Sequence, residues 1–132
     1  MDFQNFKNAV IAKCAELGIG HMVRILGYRR DIDKLLAACD CVVSSSRQEG
    51  LPLNLIEAAA RGRYIIATDV RGNADVVLSS GCGVLVELND DAAMAAEIAK
   101  VCQTAPAIPD RSRIDCYRSE NIVRRLFELY GV

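Results

Sequence analysis

Apolar and polar residues follow two periods along the chain, one typical of amphipathic helices and one typical of short buried strands. Near the start, Phe3, Phe6, Val10 and Cys14 recur at helical spacing and predict a first helix that ends near Gly18. Four short apolar runs predict strands: MVRILG, CVVSSS, YIIAT and GVLVEL. The intervening helical segments are DIDKLLAAC, PLNLIEAAAR, a short turn at 74–78, DDAAMAAEIAKVC and SENIVRRLFELY.

Residues at the segment ends support these boundaries. Asp31 and Asn89 are expected to cap the helices that follow them, because short polar side chains accept hydrogen bonds from first-turn amides. Pro52 suits the first turn of a helix, which Gly62 ends. Strands that alternate with helices predict an α/β fold with a mainly parallel sheet of right-handed β–α–β units. We expect a single domain over 1–132, with a closing helix at about 119–130 after a proline-containing linker.

Composition narrows the class of protein. The chain has 132 residues, of which 52% are hydrophobic and 25% charged, a balance typical of a globular domain. Sixteen basic and 17 acidic residues are spread along the chain, which argues against a nucleic-acid-binding surface. No apolar run approaches the ~18 residues of a membrane span, and the first residues do not resemble a signal peptide. We therefore expect a cytoplasmic protein.

Six cysteines and one histidine, His21, raise the question of a metal site. Zinc sites need four ligands, commonly in close pairs, and the chain has no C-x-x-C. Most of the cysteines lie in apolar runs, where a thiol packs as a small hydrophobe. We expect no metal and no cofactor, reduced thiols, and a surface position for His21.

Two loops follow predicted strands at the edge of the sheet where ligands bind in such folds: GYRRD and SSSRQEGLP. The second loop leads directly into a helix, whose first-turn amides and dipole favour an anion such as a diphosphate. Glu49 precedes the turn, and Glu57 lies about a turn and a half into the helix. Two carboxylates beside an anion site suit a sugar–diphosphate–ribose ligand. From the residues alone, a solvated loop glutamate and a charged helix face remain the favoured alternative.

The ordered motifs from "DIDKLLAACDCVVSSSRQEGLPLNLIEAAARGRYIIATDVRGNADVV" to "GVLV" resemble the carboxyl-terminal domain of retaining GT-B glycosyltransferases. The similarity is greatest to the bacterial enzymes of capsular, exopolysaccharide and lipopolysaccharide synthesis, whose signature Glu-x7-Glu corresponds to Glu49 and Glu57. The resemblance spans roughly 23–101. It implies a Rossmann-like three-layer α/β/α fold, here an incomplete GT-B carboxyl-terminal domain.

The resemblance also implies roles for particular residues. It assigns Glu49, as the candidate catalytic residue, to the donor sugar's hydroxyls and Glu57 to the ribose hydroxyls. It assigns the sugar and diphosphate to the backbone amides of Gly50, Leu51 and Leu53, since Pro52 has no N–H. Candidates for contacts with the nucleobase are Tyr28 and Arg29, although a surface tyrosine and a solvated turn are open alternatives. Arg71, Gly72 and Asn73 are expected to shape a loop near the site rather than perform chemistry.

The sequence departs from the family pattern by lacking the upstream arginine–lysine motif and the amino-terminal acceptor domain. Arg47 is the basic residue nearest the anion site, and nothing in the sequence establishes that it replaces that motif. We expect the donor-binding portion of a hexosyltransferase that uses a nucleotide-sugar such as a UDP-hexose and is inactive alone. Its expected partners are the missing acceptor domain or a separate chain, with membrane association only through the full enzyme.

Two other functions are open for the chain, and the sequence also predicts its oligomeric state. The chain could instead be a non-catalytic remnant or partner subunit that assembles with a separate acceptor domain. An unrelated Rossmann-like nucleotide binder is disfavoured, since no G-x-G-x-x-G follows a predicted strand. An incomplete sheet exposes a strand edge, so we expect a homodimer or a marginally stable monomer.

Overall fold

The computed structural model describes residues 3–107 and 111–131. The chain divides into two compact units, Met1–Ile32 and Asp33–Val132. The helices and strands, in chain order, are α1 (Phe3–Glu16), α2 (Ile32–Ala38), β1 (Cys41–Ser44), α3 (Leu53–Ala60), β2 (Tyr64–Thr68), α4 (Arg71–Ser80), β3 (Gly83–Val86), α5 (Asp91–Gln103), a 3₁₀ helix (Arg111–Tyr117) and α6 (Ser119–Tyr130).

The first unit contains the predicted amino-terminal helix but not the predicted first strand. Helix α1 ends at Glu16, and Gly18 follows in the left-handed conformation that closes a helix. The run MVRILG forms no strand in the part of the chain that the structure describes, so that prediction is wrong. Met22 and Leu26 are 72% and 50% exposed. The apolar run satisfied the sequence pattern of a strand, but a strand also requires a hydrogen-bonded neighbour, which this run lacks.

The second unit is built on a three-stranded parallel sheet in the order β1-β2-β3. Val42 pairs with Ile65, and Ile66 pairs with Val84. Each connection between these strands contains a helix, as parallel neighbours require. The predicted α/β fold with a parallel sheet is confirmed.

Apolar side chains cover both faces of the sheet, because successive strand residues point to opposite sides. Ile65 and Ala67 face one core, which also contains residues from α2, α3, α4 and the 3₁₀ helix: Leu36, Leu55, Ala58, Ala59, Val76, Val77 and Ile114. Ile66 and Val86 face the other core, which they form with α5 residues such as Val101 and Met94. The sheet therefore lies between two helical layers, which is a Rossmann-like arrangement.

Close approach of β2 and β3 requires a glycine at the start of β3. A Cβ atom on Gly83 would lie 2.0 Å from the carbonyl oxygen of Ile65. No real Cβ makes such a contact, so any larger residue would displace the two strands. The same residue pairs with Ile65 in the register of the sheet.

Several helix boundaries differ from the sequence prediction. Pro52 occupies the N-cap of α3 rather than its first turn, and α4 is a ten-residue helix rather than a short turn. Asp90, not Asn89, caps α5, with its Oδ1 accepting from the amide of Ala93 at 2.8 Å. Asn89 instead has a left-handed backbone (φ 69°) that turns the chain into the helix. The 3₁₀ helix was not predicted.

Helix α6 matches the predicted closing helix. Its apolar side chains are only partly covered, since Ile122, Val123, Leu126 and Phe127 are each roughly half exposed. None of its described residues is buried. No helix within 3–107 or 111–131 is both long and apolar enough to cross a membrane.

Candidate functional site

The loop between β1 and α3 lies at the carboxyl edge of the sheet and carries the first motif glutamate. Among the described residues, the backbone amides of Gly50, Leu51, Leu53 and Asn54 have no hydrogen-bond acceptor. Two of these amides belong to the first turn of α3, where orphan donors and the helix dipole favour an anion. The loop thus presents four unpaired N–H groups in a run of five residues around Pro52.

Glu49 is held by a neighbouring hydroxyl. Its side chain is half-buried, and Oε1 accepts a hydrogen bond of 2.9 Å from Oγ of Ser46. The Ser46 hydroxyl lies 3.3 Å from that of Ser44, the last residue of β1. The strand end therefore fixes the loop that carries the carboxylate.

The start of α4 packs directly on this loop. The amide of Gly72 donates to the carbonyl oxygen of Glu49 at 3.3 Å. A Cβ atom on Gly72 would lie 2.7 Å from the carbonyl oxygens of both Glu49 and Gly50. Only glycine permits this approach, so Gly72 is required for the position of the loop relative to α4. The expected loop at 71–73 is instead the first turn of α4.

A second connection joins the loop to α4 through the end of β2. Oγ1 of Thr68 donates to the carbonyl oxygen of Ser46 at 2.5 Å. Nδ2 of Asn73 lies 3.1 Å from the carbonyl oxygen of Thr68 and 3.2 Å from its Oγ1. Thr68 is 4% exposed and Asn73 is fully buried.

Beside the Glu49 loop is an open depression of about 700 Å³. Its lining comes from the ends of β1 and β2 and from the start of α4: Arg47, Gln48, Glu49, Gly50, Val70, Arg71 and Asp75. The side chains of Arg47 and Arg71 are exposed, and neither forms an ion pair within the described ranges. The depression therefore combines two guanidinium groups, those of Arg47 and Arg71, with two carboxylates, those of Glu49 and Asp75, and the unpaired amide of Gly50.

Not every predicted donor-binding residue lines this depression. Glu49 and Gly50 do, whereas Leu51, Leu53 and Glu57 do not. Leu51 and Leu53 are 58% and 64% exposed, and their predicted contribution comes from backbone amides rather than side chains. Glu57 is exposed on the second turn of α3, and its carboxylate makes no hydrogen bond or ion pair with another described residue. Its carboxylate is free to accept from a ligand.

Tyr28 and Arg29 belong to the first unit and have contrasting environments. Tyr28 is 88% exposed. Arg29 forms a two-point ion pair with Asp31, with Nε–Oδ1 and Nη2–Oδ2 distances of 2.7 and 2.5 Å. Hydrogen bonding to Asp31 raises the pKa of Arg29, and the same hydrogen bonds lower the pKa of Asp31. Contact of either residue with a nucleobase remains a prediction.

Sequence reasoning did not identify Thr68 or Asp75, and it placed Arg71 near the site without assigning it a contact with the ligand. Arg71 and Asp75 line the depression, and Thr68 links β2 to the Glu49 loop. The available signal for a role in the site was that Arg71 belongs to the loop after the third predicted strand, because the carboxyl ends of parallel strands share one edge. Over the described ranges, no cluster of three or more His, Cys, Asp or Glu residues could hold a metal ion.

The structure has a Rossmann-like parallel sheet, and a helix that starts at the carboxyl edge of this sheet favours an anion. This arrangement is typical of α/β proteins that bind a phosphate-containing ligand. A sequence model of one such family, described as glycosyl transferases group 1, matches residues 4–117. The chain belongs to this family, as its GT-B-type motifs predicted.

Individual relatives support the same assignment. The chain is 36% identical over 75 residues to the UDP-Gal:alpha-D-GlcNAc-diphosphoundecaprenol alpha-1,3-galactosyltransferase of Escherichia coli, a match that covers 57% of this chain and 19% of the relative. It is 37% identical over 62 residues to the N,N'-diacetylbacillosaminyl-diphospho-undecaprenol alpha-1,3-N-acetylgalactosaminyltransferase of Campylobacter jejuni, covering 47% and 16%. A longer match, 26% identical over 121 residues, is to the lipopolysaccharide core biosynthesis mannosyltransferase LpsB of Rhizobium meliloti, covering 90% and 33%. The chain thus spans a third or less of the length of these relatives.

Proposed function

We propose that this chain is the nucleotide-diphospho-sugar-binding portion of a glycosyltransferase of cell-surface polysaccharide biosynthesis. The full reaction transfers a hexosyl group from the donor to a glycan or lipid-linked acceptor. The observation that carries this proposal is the loop at 49–54, which combines a held carboxylate with four unpaired amides at the start of α3. The names of the relatives, which include a galactosyltransferase and a mannosyltransferase, support the reaction class.

In this proposal the diphosphate lies at the start of α3. The amides of Leu53 and Asn54 and the helix dipole offset its negative charge, which increases as the sugar–phosphate bond breaks. Arg47 and Arg71 supply two further positive charges from the adjacent depression. Charge stabilisation of the leaving diphosphate is thereby assigned to amides and guanidinium groups, with no metal required.

Each motif glutamate binds a different part of the donor. Glu49 accepts hydrogen bonds from hydroxyls of the transferred sugar, and Gly50 allows the backbone to approach it. Glu57, free and exposed on α3, accepts from the ribose hydroxyls. A carboxylate suits a vicinal diol because its two oxygens can accept from two neighbouring hydroxyls.

Catalysis by the chain alone is not expected in this account. Glycosyl transfer needs an acceptor held against the donor, and the chain supplies the donor side. We propose that the acceptor-binding part lies in a further domain or a separate polypeptide, in the cytoplasm. We also propose a homodimer through the exposed edges of β1 or β3, which sedimentation at increasing concentration would detect.

Calorimetric titration of the chain with UDP, UDP-galactose, UDP-N-acetylglucosamine and GDP-mannose tests the proposal. At least one nucleotide-sugar is expected to bind saturably, and Glu57→Gln is expected to weaken binding of the free nucleotide and the nucleotide-sugar alike, by about tenfold. Glu128→Gln on α6, at another exposed glutamate, is the matched control and should bind normally. Absence of binding by every nucleotide, together with tight association with another polypeptide, would favour a non-catalytic partner subunit.

A further inference from the structure

A path of hydrogen bonds, joined through the Ser46 residue itself, runs from the first turn of α4 to the carboxylate of Glu49. It begins at Asn73, passes through Thr68 and Ser46, and ends at Glu49 Oε1. Asn73 is fully buried and Thr68 is 4% exposed, and neither residue is predicted to contact the donor. Their polar groups therefore need a reason other than ligand binding.

The first link has a fixed orientation. The carbonyl oxygen of Thr68 can only accept, so the side-chain nitrogen of Asn73 must face it. In that orientation Oδ1 of Asn73 has no partner among the described residues. An unpaired buried oxygen destabilises the folded state, so the contribution of this asparagine lies in the two contacts that its nitrogen makes with Thr68.

The second link transfers this constraint to the loop. Asn73 fixes the hydroxyl of Thr68 from one side, and that hydroxyl donates to the carbonyl oxygen of Ser46. The hydroxyl of the same serine donates to Glu49. Fixing the Ser46 backbone therefore fixes the donor that orients the Glu49 carboxylate.

A separate contact restrains the same loop from the other side. The amide of Gly72 donates to the Glu49 carbonyl oxygen, and its missing side chain lets the helix touch the loop backbone. Glu49 is thus held at its carboxylate through Ser46 and at its carbonyl through Gly72. A freely solvated glutamate would need neither contact.

We propose that Thr68 and Asn73 are positioning residues that set the Glu49 carboxylate for the sugar part of the donor. This role rests on the proposed function, because it assumes that Glu49 binds the sugar. According to this proposal, Thr68 and Asn73 cause the chain to bind the nucleotide-sugar more tightly than the free nucleotide. A purely structural pair would change stability and leave that selectivity intact.

The experiment compares the affinities of the chain for UDP and for UDP-galactose, or for whichever nucleotide-sugar of the panel and its free nucleotide bind. Thr68→Val removes the hydroxyl at nearly constant shape, and Thr68→Ser retains it. Thr104→Val, at the exposed C-cap of α5, is the matched control. Ser46→Ala breaks the same path at a half-buried position and provides a second variant if Thr68→Val fails to fold.

We expect Thr68→Val and Ser46→Ala to lose about tenfold in affinity for the nucleotide-sugar with little change for the nucleotide. Thr68→Ser should retain wild-type selectivity, and Thr104→Val should not alter it. Hydrogen exchange of the Gly72 amide, measured by NMR in the ligand-free chain, should be faster in Thr68→Val because the loop is less restrained.

The outcomes separate the two proposals. If Glu49→Gln removes the selectivity for nucleotide-sugar but Thr68→Val and Ser46→Ala preserve it, the positioning role is overturned and the proposed function stands. If the wild-type chain binds no nucleotide and no nucleotide-sugar, the proposed function is overturned and the positioning role with it.

Discussion

The amide nitrogen of Gly72 lies 3.3 Å from the carbonyl oxygen of Glu49 and donates a hydrogen bond to it. This contact joins the first turn of α4 to the loop that leads into α3. Only glycine can make this contact, because a Cβ atom on residue 72 would lie 2.7 Å from the carbonyl oxygens of both Glu49 and Gly50. The position of the candidate site therefore depends on a residue that offers no side chain of its own.

Gly72→Ala should destabilise the chain and displace the Glu49 loop. Inserting a methyl group into this contact is expected to cost about 1–3 kcal/mol of unfolding free energy, measured by urea denaturation. Gly20→Ala is the control, because no atom lies within 4 Å of the position its Cβ would take, and it should change stability by less than ~0.5 kcal/mol. Equal stability of the two variants would contradict the close approach.

Asp90→Ala should weaken α5 through loss of its N-cap. The carboxylate accepts from the Ala93 amide, and removal of such a cap costs about 1 kcal/mol of unfolding free energy. Asn89→Gly should cost less, since glycine readily adopts the left-handed backbone found there. Denaturation of both variants checks the assignment, and a larger loss for Asn89→Gly would restore Asn89 as the cap.

Arg71→Gln should weaken nucleotide-sugar binding and reduce its dependence on salt. The guanidinium is exposed at the depression beside Gly50, where it would meet the diphosphate. We expect a loss of about 1 kcal/mol, or roughly fivefold in Kd, that diminishes at high ionic strength. Arg124→Gln on exposed α6 removes the same charge elsewhere. If both variants weaken binding equally, the effect of Arg71 comes from the net charge of the chain and not from its position at the depression.

Cys41 should react slowly with alkylating reagents near neutral pH. Burial raises the pKa of its thiol, and the neighbouring Cys39, Cys102 and Asp40 add to that shift. Because the thiolate is the reactive form, half-maximal labelling should require a pH above the ordinary thiol value. Peptide mass spectrometry across a pH series gives the rate, with exposed Cys116 as the accessible reference. Rapid labelling of Cys41 at pH 7 would contradict the raised pKa of this half-buried thiol.

The three strands and most of the helices of the second unit were predictable from their apolar periods, whereas its 3₁₀ helix and the full length of α4 were not predicted. The YIIAT run has residues of both cores on alternate positions, and it forms the central strand. The MVRILG run has a similar composition and forms no strand. Periodicity reports which residues avoid water, whereas a strand also depends on a neighbour elsewhere in the sequence.

The sequence indicated Glu49 and Gly50 as candidates and placed Gly72 and Asn73 near them, but it did not predict the contacts that hold the loop. A glycine and a carboxylate before a helix are visible as a motif along the sequence. Thr68 contacts Ser46 because β1 and β2 are neighbours in the sheet, and Asn73 contacts Thr68 because α4 follows β2, and no local pattern reports either contact. The choice between Asp90 and Asn89 as a cap likewise depends on where the helix starts to within one residue.

Donor binding at the start of α3 can be observed residue by residue in an NMR titration of the chain with UDP-galactose and the other nucleotide-sugars. A ligand that binds should shift the backbone amide signals of Gly50, Leu51, Leu53 and Asn54 most strongly and saturably, because these amides have no acceptor in the described structure. Glu57→Gln should lower the affinity for the nucleotide-sugar, so that saturation needs more ligand, without altering the fold. Shifts that are absent with every nucleotide-sugar, or that fall mainly outside the Glu49 loop and α3, would contradict the account.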